Sequence, residues 1–262
     1  MKKFFKYLLL GLGTVILLVA LGTTLWWNLK TDREKSSFFA NVHDFETAIE
    51  YDPSNSKAWM ERSVAFNKAG NFKKGFEFLN KAVELDPNLH LGYRGWIRLR
   101  KMRDYDQALQ DFDRLDSLTP NVVDAPWGEV IDFLRGECYF GNRDYEKAMA
   151  LFERNINTEK EAWADVHSFV YLGLCEYELG NYEKAITQFQ RGLKQSDKLP
   201  EAHFGMAKAY QKLGQLENAQ AHVLKAEATI AYKREDVYNE FLNEIYLSEI
   251  MEFKELVNKQ VK

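Results

Sequence analysis

Gly70-Asn71-Phe72-Lys73-Lys74-Gly75 has the glycine spacing of a loop that cradles phosphate. Such a loop needs Lys-Ser or Lys-Thr next, the ammonium to meet the phosphates and the hydroxyl to hold magnesium. Phe76-Glu77 stands there instead, so neither group is supplied. The five histidines are His43, His90, His167, His203 and His222, and no two are four residues apart, the spacing that turns two imidazoles toward one metal. The nucleophile motif G-x-S-x-G and the zinc motif H-E-x-x-H do not occur. The 39 acidic side chains are interspersed with 35 basic ones, as on solvated helix faces, and no carboxyl pair stands out as an acid–base couple. The expectation is a chain without catalytic residues, without a cofactor and without a metal.

Function must then come from shape. Tyr171–Leu193, YLGLCEYELGNYEKAITQFQRGL, holds an apolar, small-residue stretch, a Gly180-Asn181 break suited to left-handed backbone, and Tyr182, Ala185, Ile186, Phe189 and Leu193 at helical spacing. It reads as two short helices folded back on each other. Gly173 and Ala185 let the axes approach, and Phe189 and Tyr182 fill the space beside them. The pattern recurs in GNFKKGFEFLNKA (70–82), RDYDQALQDFDRL (103–115), GECYFGNRDYEKAMALF (136–152) and GQLENAQAHVLKA (214–226). The small residues Gly75, Ala108, Ala148, Ala185 and Ala219 are spaced by 33, 40, 37 and 34. Each has a large apolar residue four later: Leu79, Phe112, Phe152, Phe189 and Val223.

This grammar resembles the tetratricopeptide repeat family. Trp59, Phe66, Gly70, Phe72, Leu79, Ala82 and Pro87 follow the family pattern in the first unit, and the resemblance covers about residues 36–233. It implies an all-α, TPR-type α-solenoid, a right-handed superhelix of helix pairs. Five full units fall at 56–88, 89–122, 129–162, 166–199 and 200–233, with insertions at 121–128 and 157–164. In the second unit Trp96 stands where the family glycine belongs, and Gly95 comes one position early. Cys138 and Cys175 each lie two residues after the unit's glycine, a place that faces the core. Equivalent helices sit about 8–10 Å apart, beyond disulfide reach, so both read as buried free thiols.

The ends differ from the repeats. Lys2, Lys3 and Lys6 precede a run without charge from Tyr7 to Trp27. At about 1.5 Å per residue this helix is about 31 Å long, the thickness of a bilayer's hydrocarbon core. Trp26-Trp27 sits where an interfacial anchor belongs. The reading is a transmembrane helix within a first segment, 1–30, contacting lipid through residues 7–27. A cleaved signal peptide ending near Ala20-Leu21-Gly22 is the alternative, which would leave a secreted or periplasmic soluble protein. Lys30, Arg33 and Lys35 balance the first three lysines, so orientation rests on the short basic N-terminus staying cytoplasmic, with the repeats exported. Residues 31–55 read as a polar joint and a degenerate half-repeat cap built on Phe38, Asn41, Phe45, Ala48 and Pro53. At the other end, 234–262, the residues Val237, Phe241, Ile245, Phe253 and Leu256 share one face of a single capping helix.

Net charge is −4, and −7 without the first three lysines, which argues against a nucleic-acid partner. By the resemblance, first helices line a concave face that takes a peptide or protein partner. The positions it implies are Lys57, Asn67, Lys68, His90, Arg100, Lys101, Lys208, Gln211 and Lys212, the aromatic Tyr93, Phe133, Phe140, Tyr177 and Phe204, and Glu137 and Glu178 between them. The family's carboxylate clamp for chaperone C-termini is absent, since Met60 and Val64 occupy its first-repeat positions. The expected function is a membrane-anchored scaffold or adaptor. Homo-oligomer formation, through the groove or the C-terminal helix, is the alternative.

Overall fold

The computed structural model describes residues 2–120, 122–236 and 240–261, and all regular structure among them is helical. The chain forms two compact units, Met1–Asp86 and Pro87–Lys262.

The first unit begins with α1 (Lys2–Asn28), whose stretch Leu10–Asn28 is long and apolar enough to cross a membrane and is not buried against the rest of the chain. α2 (Asp32–Asn41) follows after three residues. Thr31 caps it reciprocally: the Glu34 amide donates to Thr31 Oγ1 (3.3 Å), and the Thr31 amide donates to Glu34 Oε2 (2.8 Å). The polar stretch 31–37 therefore belongs to a helix rather than a joint. With α3 (Phe45–Tyr51) it makes a short but complete helix pair. Trp27 packs edge-on against Phe38 and Phe39, with ring centroids 5.3 and 5.7 Å away. α4 (Ser56–Lys68) and α5 (Phe72–Leu85) complete the unit.

The second unit holds four more pairs: α6 (Pro87–Ile97) with α7 (Tyr105–Leu118), α8 (Ile131–Gly141) with α9 (Tyr145–Glu159), α10 (Val166–Glu178) with α11 (Tyr182–Gln195), and α12 (Pro200–Lys212) with α13 (Leu216–Thr229). α14 (Leu247–Val261) packs on α13 and buries Ile250 and Val257. Every pair turns through one left-handed residue: Gly70, Gly180 and Gly214 in three pairs, His43, Arg103 and Arg143 in the others. The residue after it starts the second helix, and Asp44, Asn71, Asp104 and Asp144 cap that helix with a side-chain oxygen.

Three of the pairs, α6/α7, α8/α9 and α10/α11, are held at close range by rings lying on glycines. A Cβ on Gly136 would come 2.7 Å from the Phe152 ring, and one on Gly173 2.5 Å from the Phe189 ring. Gly95 meets Phe112 in the same way at 2.7 Å, so it fills the family glycine position despite standing one residue early. The extra residue is absorbed by a π turn, Arg98–Met102, that ends α6. The Asp104 amide donates to Arg98 O six residues back (3.0 Å), whereas the equivalent amides of Asp144 and Asn181 reach five residues back, to Tyr139 O and Glu176 O. Such single-turn insertions re-aim the side chains that follow. Cys138 and Cys175 are buried and free.

One further sequence expectation changes here. The C-terminal helix begins at Leu247, so Phe241 and Ile245 lie before it in irregular chain, and Val237 lies outside the described residues. Helix formation fails there because 240–246 finds its partners on the other repeats, as described below.

Val at position 173 has no room against Phe189. Gly173→Val should cost about 3 kcal/mol of stability through overpacking. Thermal unfolding of the full chain in detergent, followed by circular dichroism, measures it. Phe189→Leu in the same chain should recover part of the loss, and additive effects of the two changes would contradict the contact.

Candidate functional site

The first helices of the second unit, α6, α8, α10 and α12, carry one connected set of polar and aromatic side chains. At its centre Arg100, delivered by the π turn, is fully buried. Its NH1 donates to Glu137 Oε1 of α8 (2.5 Å) and its NH2 to Glu129 Oε1 (2.8 Å). The Tyr171 hydroxyl of α10 donates to the same Glu137 oxygen (2.6 Å). Burial pushes the Glu137 carboxyl up while the Arg100 guanidinium pulls it down, and burial also drives the Tyr171 phenol far above its usual range. Burial works against the charge on Arg100, but Glu137 and Glu129 more than offset it and raise its pKa.

A segment from outside the repeats lies on this set. After α13 the chain returns, and Arg234 NH2 donates to Glu129 Oε1 (2.6 Å), so Glu129 bridges two guanidiniums. The Arg234 amide donates to Glu201 Oε1 of α12 (2.8 Å). Burial raises the Glu201 pKa, and that amide counters it. Phe241 is buried beneath the Arg100 and Arg234 guanidiniums, 4.7 and 3.9 Å from its ring centre. Asn243 is buried with Oδ1 3.2 Å from the Tyr171 hydroxyl, a second, weaker acceptor for the one proton that goes to Glu137, and with Nδ2 against His167 Nδ1 (2.9 Å). Ile245 is buried with Phe204, Ala207, Val223 and Ala226. Burial thus falls on 241, 243 and 245, while 240 and 246 are exposed. Alternate burial of this kind marks a non-helical segment laid along a surface. Lys101 adds an ion pair to Glu240 (3.5 Å), and Arg103 donates to Phe241 O (3.5 Å).

Phe241 and Ile245 contribute about 1.5–3 kcal/mol each by leaving water. Buried ion pairs return little beyond their desolvation cost. Ordering the backbone works against this gain at every residue of the strap.

The structure gathers some of the expected groove positions and separates others. Arg100, Lys101, Phe133 and Glu137 meet beneath or beside the strap. Phe133 is fully buried, edge-on to Phe152 and Tyr171, and Phe140 stands half-buried next to Tyr171 at 5.2 Å. Lys208 Nζ sits 4.8 Å from the buried Phe204 ring and 5.8 Å from the half-buried Tyr177 ring. Gln211 donates to Gln260 of α14 (3.2 Å), and Glu178 and Lys212 are exposed. His90 and Tyr93 are buried in α6, Tyr93 against Trp127 of the insertion. In the first unit Asn67 is buried with its amide on Ser63 Oγ (3.4 Å), and Lys57 and Lys68 are exposed on α4. Seven positions read as groove lining, Asn67, His90, Tyr93, Arg100, Phe133, Glu137 and Phe204, are thus buried, because packing and the strap cover them. Sequence reasoning missed Glu129, His167, Tyr171, Arg234, Phe241 and Asn243 as one cluster. The sequence carries no signal for it: Phe241-Leu242-Asn243-Glu244-Ile245 does not alternate, and its apolar residues fit helical spacing to Phe253.

Among the described residues no group of three or more His, Cys, Asp or Glu is arranged to hold a metal. His167 is the titrating member of the cluster. Burial lowers it from 6.5 to about 4, with Arg234 and Arg100 adding to the shift and Asp165 opposing it. A depressed histidine contributes stability that is complete above 6.5 and is lost as pH falls through 4. By linkage about 2 kcal/mol of it is gone at pH 5. Denaturant unfolding of the wild type should show this loss between pH 7.5 and 5, and His167→Gln should lack it. An unchanged pH dependence in the variant would remove His167 from this role.

Comparison with known proteins places the fold. Residues 42–90 match the tetratricopeptide repeat model and residues 173–214 a TPR repeat model. The human cilia- and flagella-associated protein 70 is 30% identical over 130 residues, 50% of this chain and 11% of that protein. The Hsp70-Hsp90 organizing protein 3 of Arabidopsis thaliana is 29% identical over 90 residues, 31% of this chain and 16% of that protein. The chain therefore spans a small part of these relatives. Among solved structures, PilW, a type IV pilus biogenesis factor, aligns with a TM-score of 0.59 at 17% identity, over 77% of this chain and 93% of PilW. YrrB, a TPR protein with an unusual peptide-binding site, aligns with a TM-score of 0.53 at 17% identity, over 71% and 91%. With its helices folded in antiparallel pairs and repeat models matching both units, the chain carries tetratricopeptide repeats, at 42–90 and 173–214.

Proposed function

We propose that the chain is a membrane-anchored scaffold that binds a segment of a protein partner on the first-helix face of its second unit and carries out no reaction itself. The observation that supports this most is the face's present occupant. It already holds an irregular stretch of chain through side chains suited to peptide recognition: carboxylates for a guanidinium, aromatic rings, and a Tyr–Asn hydrogen bond. Arg100, Glu137 and Tyr171 are engaged with one another, which favours binding over chemistry. Beyond the strap, Phe140, Tyr177 and Glu178 remain accessible in α8 and α10 as further contact points.

α1 supplies the anchor. Its apolar stretch is not buried against the chain, touching it through Trp27 at its end, and Trp26, beside Lys30 (4.5 Å), stands there as an interfacial residue would. The basic N-terminus stays on the cytoplasmic side in this reading, with the repeats beyond the membrane. Signal cleavage and release of a soluble protein is the alternative.

Two measurements test it. The chain should remain in the membrane pellet after alkaline carbonate extraction and leave it when residues 1–27 are deleted; a wild type released by carbonate removes the anchor. Proximity labelling in cells should return neighbours that fall at least fivefold in Phe140→Ala plus Tyr177→Ala. Equal recovery at equal protein level counts against the face.

A further inference from the structure

We infer that residues 234–236 and 240–246 act as a built-in ligand of the first-helix face, and that a partner binds there by displacing them with a segment of the same chemistry: an arginine, an aromatic side chain seven residues on, and an amide two residues beyond. This rests on the scaffold reading above and adds what the partner must carry.

The argument is one of complementarity. Without Arg234, Glu129 keeps Arg100 as a donor, and Glu201 loses the amide that satisfies Oε1. The vacated positions ask for a guanidinium and a backbone N–H, which together exclude an acidic segment. Without Phe241, the flat side of the Arg100 guanidinium and the neighbouring Phe133 ring lose their cover. An aromatic side chain restores it, where an aliphatic one forgoes the cation–π contact. Without Asn243, the Tyr171 hydroxyl keeps Glu137, but His167 Nδ1 loses the amide 2.9 Å away, and another amide would restore it. The fit is therefore specific in type at three points, yet its contacts are few.

The strap is also tethered on both sides by helices of its own chain, α13 before and α14 after. A short tether gives it an effective concentration of about millimolar, so a weak local affinity still keeps the face occupied. A partner must overcome that concentration, which makes the strap a filter against poor ligands.

The test uses a fluorescent peptide with the sequence of residues 233–246 and the full chain in detergent micelles. By anisotropy, Arg234→Glu plus Phe241→Ala in the chain, which frees the face, should bind the peptide at least tenfold more tightly than the wild type. A peptide carrying Arg234→Glu and Phe241→Ala should not bind the freed face. A folded variant that binds the peptide no better than the wild type overturns the inference. Should the variant unfold by circular dichroism, hydrogen exchange on the wild type decides: millimolar peptide should speed exchange of the chain's own 240–246 at least tenfold, and unchanged exchange overturns it. Neither measurement uses a cellular partner. Peptide binding without Tyr177-dependent neighbours would sink the scaffold reading alone; such neighbours without peptide binding would sink this one alone.

Discussion

Two helices of a pair come to short range most readily where one offers no side chain and the other a flat one. In the second unit that contact is a phenylalanine ring on a glycine: Phe112 on Gly95, Phe152 on Gly136, Phe189 on Gly173. The ring serves two neighbours at once, since Phe189 also lies against Gly205 of the following pair. One residue thus closes its own pair and sets the next one's distance, which is how a repeat without long-range topology builds a continuous core. Everything else about the array, including which first-helix side chains can reach each other, depends on that spacing.

The π turn shows how strict the constraint is. The second repeat has one residue too many between its glycine and its turn. The ring-on-glycine contact is kept, and the surplus is pushed into the end of α6. The consequence is functional: the displaced backbone delivers Arg100 into a fully buried position between Glu129 and Glu137. A buried guanidinium is expensive unless its partners are in place. They come from Glu129 just before α8 and from Glu137 of α8 itself, and Glu129 in turn ties in Arg234 of the returning strap. A local insertion in one repeat has thereby become the fixed point to which three distant stretches of chain are tied.

That arrangement also explains why the chain after α13 does not continue as helix. A helix would satisfy its own backbone and leave Phe241, Asn243 and Ile245 to find neighbours on one stripe only. Laid out irregularly, those side chains reach Arg100, His167 and the α12–α13 surface at alternate positions. Tertiary partners outweigh helical propensity here because the repeats already hold each of them in position, so little further order has to be imposed on the repeats themselves.

How much of this could be read from the chain follows from range. The repeat length, the pairing of helices, the buried thiols and the apolar first helix are written in spacings of four to forty residues, and the sequence by itself determined them. The glycine that Trp96 appeared to replace was also present, one position early; only the contact with Phe112 showed which residue served. The complete first pair at 32–51 was obscured because α2 has few apolar residues and takes its stability from a capping box and from Trp27. The site was the least legible. Arg100 and Glu137 were recognisable as groove positions, but their burial depends on Glu129, Tyr171, Arg234 and Asn243, up to 143 residues away in the chain. Periodicity reports which face of a helix turns inward; it carries no information about which distant segment comes to lie on the other face. That was decided by tertiary structure alone, because the charges and rings that hold the strap have a preferred partner only once the repeats have set them side by side.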